Sequence, residues 1–192
     1  MVDLNNQIKE LIKMDMEIYE LAKKSIEIVR PCQQCGWCCQ NKRILVTIPE
    51  IIRILKHTGK DFSDIFVIEK NKLSISIKTK KINGKPYCIF YENGKCSIHD
   101  IKPFQCMTYP TIFNPLASLT GVVKEILKDK VIFECQAPHD KKSVHSVSIE
   151  DIDEITTKRV AFLTKSYSIQ RKLIAQRRLK IIVKEMISHE RA

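Results

Sequence analysis

Two stretches of helical periodicity flank a middle section of shorter, mixed patterns. Across residues 3–29, Leu4, Ile8, Leu11, Ile18, Ala22, Ile26 and Val29 share one stripe, which predicts an amphipathic helix. Pro31 disfavours helical backbone at Arg30 and predicts a stop just before the first cysteine. Thr47-Ile48-Pro49-Glu50 has capping-box spacing with proline in the first turn, so a helix is expected to about Lys56, closing near Gly59. A second short helix is expected from Asp61. The strict alternation Leu73-Ser74-Ile75-Ser76-Ile77 predicts a half-buried strand. Residues 87–98 predict a β-hairpin, because Asn93-Gly94 supplies the positive φ angles of a type I′ turn. Asp100 is expected to cap a short helix to Cys106 with Pro103 in its first turn, residues 107–121 to form a loop, and residues 130–134 a strand. Helix is expected to resume at the cap signal Ser148-Ile149-Glu150-Asp151 and to end in the stripe Leu179, Ile182, Val183, Met186, Ile187.

Together these elements predict an α+β fold: one helix-rich domain with a small β-hairpin or sheet around a cysteine site and long terminal helices. The expected division is an N-terminal helix at 1–30, a cysteine-cluster domain at 31–140 and a basic helical segment at 141–192 packed on the same domain. At 192 residues the chain is long enough to bury a hydrophobic core. Its apolar runs are far short of the roughly 20 residues a bilayer span needs, so no membrane association is expected. The N-terminus carries acids in a helical pattern and lacks the basic-then-apolar order of a signal peptide, which predicts a cytoplasmic location.

Charge adds one feature. The net charge is +11, and residues 158–192 hold Lys158, Arg159, Lys165, Arg171, Lys172, Arg177, Arg178, Lys180, Lys184 and Arg191 against Glu185 and Glu190. Such a segment is either a solvated helix face or a surface for nucleic acid or an acidic protein.

The chemistry lies in eight cysteines. Four are packed into CQQCGWCC, as Cys32, Cys35, Cys38 and Cys39; Cys88, Cys96, Cys106 and Cys135 follow at a distance. A disulfide framework suits an oxidising compartment or a hyperthermophile, whereas dense thiols in a reducing cytosol point to metal. A C-x2-C-x2-C run lets one loop wrap three corners of an iron–sulfur cubane, with the fourth ligand coming from elsewhere. Zinc usually gathers separated C-x2-C pairs, although Cys96-Ser97-Ile98-His99 also offers a sulfur–nitrogen pair. If the loop is extended, Cys38 and Cys39 point to different targets. That implies two centres sharing a loop, or one centre plus a reactive thiol, for which Cys39 is the candidate. The first expectation is one [4Fe–4S] cluster on Cys32, Cys35, Cys38 and a distal cysteine, the others building a zinc or second iron–sulfur centre. Trp37 is expected as a shield or core anchor, His99 as a turn histidine, and His139 and His145 as solvated loop residues. The five glycines form no G-x-G-x-x-G or P-loop, and neither H-E-x-x-H nor G-x-S-x-G occurs.

CQQCGWCC followed by CIFYENGKCSIHDIKPFQCMTYP resembles the CxxCxxCC (YkgJ-like) family of zinc- or iron-chelating cysteine-cluster proteins. Thr47 to Glu50 fits its T-x-x-E helix, and Cys88, Cys96, Ile98, Pro103, Cys106 and Pro110 fall on its second block; Cys135 resembles its late cysteine. Lys102 and Met107 stand where the family carries arginines, which weakens any bidentate contact to an anion there. The cysteine domain is also similar to that of flagellin lysine-N-methylase. The resemblance implies a metal-binding protein, most simply an iron–sulfur one acting on an unidentified protein or small molecule. Alternatives are a cluster-dependent methyltransferase using S-adenosylmethionine on protein lysine, and a zinc-stabilised module that binds nucleic acid or protein.

Overall fold

The computed structural model describes residues 4–41, 43–69, 73–111, 123–138 and 140–189. Four helices make its frame: α1 (Leu4–Ser25), α3 (Ile48–Thr58), α6 (Ile149–Ala175) and α7 (Leu179–His189). Helix α1 packs on α3 and α6, and α3 packs on α7. The predicted stripes meet in this core: Ile8, Leu11, Ile18 and Ala22 of α1, and Leu179, Ile182, Val183 and Met186 of α7, are all buried. The caps are as predicted. Thr47 donates from its N–H (2.8 Å) and its hydroxyl (2.9 Å) to Glu50 Oε2 at the start of α3. Gly59 closes that helix at φ 64°, and Ser148 Oγ accepts from Asp151 N–H at the start of α6 (3.0 Å).

Against the frame lie short elements. One antiparallel sheet has the order β1 (Glu27–Arg30), β10 (Val144–Ser148), β9 (Lys130–Glu134), β8 (Val123–Ile126). Three separate pairs join β2 (Phe66–Glu69) to β3 (Ser74–Ile77), β4 (Thr79–Ile82) to β5 (Lys85–Cys88), and β6 (Tyr91–Glu92) to β7 (Lys95–Cys96). Short helices α2 (Trp37–Asn41), α4 (Phe62–Ile65) and α5 (Phe104–Thr108) complete the chain. The result is the predicted α+β fold.

Several predicted boundaries are corrected. Helix α1 stops at Ser25, and the β-branched Ile28 and Val29 form edge strand β1 against β10, so Val29 is exposed rather than on the buried stripe. Residues 87–98 are not one hairpin. The Asn93-Gly94 turn (φ 49° and 81°) joins only β6 to β7, whereas Cys88 ends a second hairpin turned by Asn83-Gly84 (φ 50° and 78°). The helix expected between Asp100 and Cys106 is split into a 3-10 turn, His99–Ile101, and α5. Lys102 is extended (ψ 152°), as a residue before proline prefers, and Pro103 stands outside α5. Of the loop predicted at 107–121, residues up to Thr108 are helical and residues 112–122 lie outside the described set. Strands β2, β8 and β10 carry no signal used above.

Charged groups also lie inside the frame. Asp15, on α1, pairs with Arg53 of α3 (2.6 Å) and Arg159 of α6 (3.3 Å). Arg159 also faces Glu50 (3.5 Å) and covers the Phe104 ring at 4.3 Å. Glu50 Oε1 accepts the N–H of Phe104 (2.9 Å). Arg159 is thus buried in the core rather than part of a solvated basic face. Burial and the nearby Glu50 push the Asp15 carboxyl up, and the two arginines pull it back. Asp15→Asn should cost about 3 kcal/mol in urea unfolding, because it leaves two guanidinium groups facing one carboxylate. Adding Arg53→Met leaves Arg159 facing Glu50 and removes the guanidinium that Asp15 had paired, so it should return part of that loss; strictly additive losses would contradict this account.

Candidate metal centre

The cysteine loop is built by backbone turns. Gln34 donates its N–H to Cys32 Sγ (3.3 Å), Gln34 and Gly36 have φ of 54° and 79°, and Gln40 N–H reaches Gly36 O (2.9 Å) to start α2. Gly36 is required twice over. Its φ is left-handed, and a Cβ there would stand 2.5 Å from Cζ of Tyr91, whose ring presses on the loop and stacks on Tyr87 at 5.1 Å. Helix α2 also packs on β5, which brings Cys38 and Cys39 toward Cys88.

Seven thiols line one chamber of about 700 Å³, counting its open mouth: Cys32, Cys35, Cys38, Cys39, Cys88, Cys96 and Cys106. They come from the loop, α2, β5, β7 and α5. Ile44, Ile77, Phe90, Ile98 and Pro103 supply apolar walls, and His99 and Lys102 polar ones. A smaller adjoining cavity of about 330 Å³ is lined by Cys32, Cys35, Cys38 and Cys135, with Trp37, Tyr109 and Lys141. Cys135 is held there by Ser143, which donates its N–H to the thiol (3.1 Å) and accepts the Cys135 N–H on its carbonyl (2.9 Å). The loop is helical rather than extended at Cys38 and Cys39: both line the larger chamber, and Cys38 also lines the smaller cavity, which Cys39 does not.

The electrostatics follow from crowding. Burial, then the adjacent Cys96 and Cys38, push Cys88 up to about 11. Burial drives Cys106 well above the ordinary thiol range and also raises Cys32 and Cys96. Cys39 is raised first by its hydrogen bond with Cys38 and then by burial. Lys102 opposes the rise at Cys32, Cys96 and Cys106. At Cys32, Cys39, Cys88, Cys96 and Cys106 protein groups alone therefore favour the neutral thiol, and a bound metal cation is the partner that would stabilise several thiolates here. Among the described residues, no three His, Cys, Asp or Glu side chains are already drawn into a closed ligand set. The donor chemistry nonetheless fits a soft, thiolate-bound metal.

Trp37 and His99 lie where the sequence reading puts them, whereas His145 does not. His99 starts the 3-10 turn, as a turn histidine should, yet also lines the chamber with Nε2 3.1 Å from Lys102 Nζ. Trp37 is half-buried against the smaller cavity. His145 is not solvated: it is buried on β10, with Nδ1 3.1 Å from Thr111 Oγ1 and Nε2 3.4 Å from Ser143 Oγ. His139 lies outside the described residues. Sequence reasoning also missed Tyr91 and Tyr109, although each sits within the quoted cysteine block.

Fold and site together define an α+β protein that gathers thiols from across the chain to chelate metal. The chain belongs to the CxxCxxCC family, described as a putative zinc- or iron-chelating domain, whose sequence model matches residues 31–139, more than half its length. No curated protein and no solved structure matches it. No described helix is long and apolar enough to cross a membrane.

Gly36→Ala should destabilise the protein by about 1–3 kcal/mol through the left-handed φ alone, with a further loss from the Tyr91 ring. Tyr91→Ala in the same chain should recover only the second part, read as two separate shifts of the urea midpoint. A second prediction concerns acid. Burial, followed by the charge of Lys102, lowers His145 to about 4, against about 6.5 in the unfolded chain. The unfolded state then binds the extra proton between those values, so this contribution is complete above pH 6.5 and is lost as pH falls toward 4. Wild type should lose on the order of 2 kcal/mol more than His145→Gln across that window; parallel pH profiles would refute the assignment.

Proposed function

We propose that this protein carries an iron–sulfur centre, most simply a [4Fe–4S] cluster, with Cys32, Cys35 and Cys38 as three ligands. The observation that supports it most is that these three thiols, at C-x2-C-x2-C spacing, line both cysteine-bearing cavities at once. A loop of that spacing suits three corners of a cubane better than one zinc tetrahedron. When bound, such a cluster supplies one-electron chemistry or an iron that acts as a Lewis acid. The chain's own residues hold and shield it. The loop turns position the thiols, the isoleucines and Phe90 form the apolar side of the chamber, and Lys102 offsets part of the thiolate charge at Cys32. Cys32 and Cys35 are exposed, so a ligand of unidentified chemistry has access to that side of the centre.

Protein produced and purified anaerobically should contain iron and acid-labile sulfide in equal amounts, about four of each per chain, with broad brown absorption. Cys38→Ser should lose most of both. Zinc without sulfide in the wild-type protein would refute the iron–sulfur reading.

A further inference from the structure

We infer that the eight thiols divide into two four-thiolate sets: Cys32, Cys35, Cys38 and Cys135 around one centre, and Cys39, Cys88, Cys96 and Cys106 around a second, closed one of zinc type. The division rests on the iron–sulfur reading for the chemistry of the first set, but its geometry stands apart from it. Of these two cavities, Cys39, Cys88, Cys96 and Cys106 line the larger chamber, Cys135 lines the smaller, and Cys32, Cys35 and Cys38 line both. Cys39 and Cys106 each lie within electrostatic reach of both Cys88 and Cys96. Cys38 is in reach of those thiols and Cys32 of Cys96, but both of these also line the smaller cavity, which Cys39 does not. Neighbouring positions on a helix are about 100° apart, so Cys38 and Cys39 can face different centres from one turn.

The second set draws its ligands from α2, β5, β7 and α5, so closing it ties four short elements into one unit. That is the arrangement of a structural four-coordinate zinc site, which leaves no open position. His99 is not a ligand in this scheme. The ammonium of Lys102 can only donate, so it occupies the Nε2 lone pair, and the ring of neutral His99 then carries its proton on Nδ1.

The test uses the full chain, expressed anaerobically with iron and zinc supplied, and measures iron, sulfide and zinc per chain. Wild type should hold a cluster and about one zinc. Cys135→Ala should lose most of its iron and sulfide and keep its zinc. Cys39→Ala should lose zinc and keep iron, and His99→Ala should keep both. Loss of zinc in Cys135→Ala, or loss of iron in step with zinc in a folded Cys39→Ala, overturns the division. Zinc-edge X-ray absorption on wild type covers the case in which Cys39→Ala does not fold: four sulfur neighbours are expected, and a nitrogen among them overturns it. Two zincs and no sulfide in wild type, with one zinc lost in each cysteine variant, would refute the cluster while upholding the division.

Discussion

One buried carboxylate, Glu50, connects the helical frame to the metal chamber. It is almost fully excluded from solvent, so its charge persists only if every lone pair finds a donor or cation. One oxygen caps α3 through the Thr47 N–H and hydroxyl, while the other takes the Phe104 N–H and faces Arg159. Those partners belong to the start of α3, the start of α5 and the middle of α6. Cys106 lies two residues beyond Phe104 on the same short helix. Arg159 passes the constraint on to Asp15 and so to α1 and Arg53. Arg53 in turn donates to the carbonyl of Ile101, and Tyr19 to that of Lys102, so the chain between Cys96 and Cys106 hangs from the frame by three separate contacts.

This arrangement explains which features could be read from sequence. Helix periodicity and caps are local, and they placed α3, the start of α6 and the buried stripe of α7, but not the break at residues 176–178 that separates α6 from α7. Asn-Gly turns are local too; the second one, at Asn83-Gly84, carried the same signal and marks the hairpin that ends in Cys88. What pairs with what is not local. The segment Ile28-Val29 fits the end of a helical stripe as well as a strand, and the backbone of β10 decides between them. The buried charges did leave a trace. Asp15 falls in register with Leu11 and Ile18, and Arg159 with Ile155 and Phe162, so each is a charge in an apolar stripe. A charge in such a position needs a partner, though the sequence does not say which.

The site divides in the same manner. Thiol chemistry and loop spacing name the eight candidate residues, because few other uses explain so many cysteines in one chain. Their sharing of two adjoining cavities depends on α2 being helical and on its packing against β5, neither of which follows from CQQCGWCC. His145 was misread for a related reason. It follows the polar run Asp140-Lys141-Lys142-Ser143, and the pairing of β10 with β9 and β1 carries it inside.

Frame and chamber draw their stability from different sources. The helices bury long apolar stripes against one another, and that burial scales with area whatever the chamber contains. The chamber is made of two- to four-residue strands and five-residue helices, too short to be stable alone. Its thiols are only partly buried for the most part, and burial opposes their ionisation. A metal reverses that balance, since it binds the thiolate form and draws the short elements to one point, so its binding energy becomes folding energy for this region alone. The frame's task is then to hold α2, α5 and the hairpins near enough for that step to need little reordering. Glu50 and the turn anchored by Arg53 and Tyr19 do this for the segment that runs from Cys96 to Cys106.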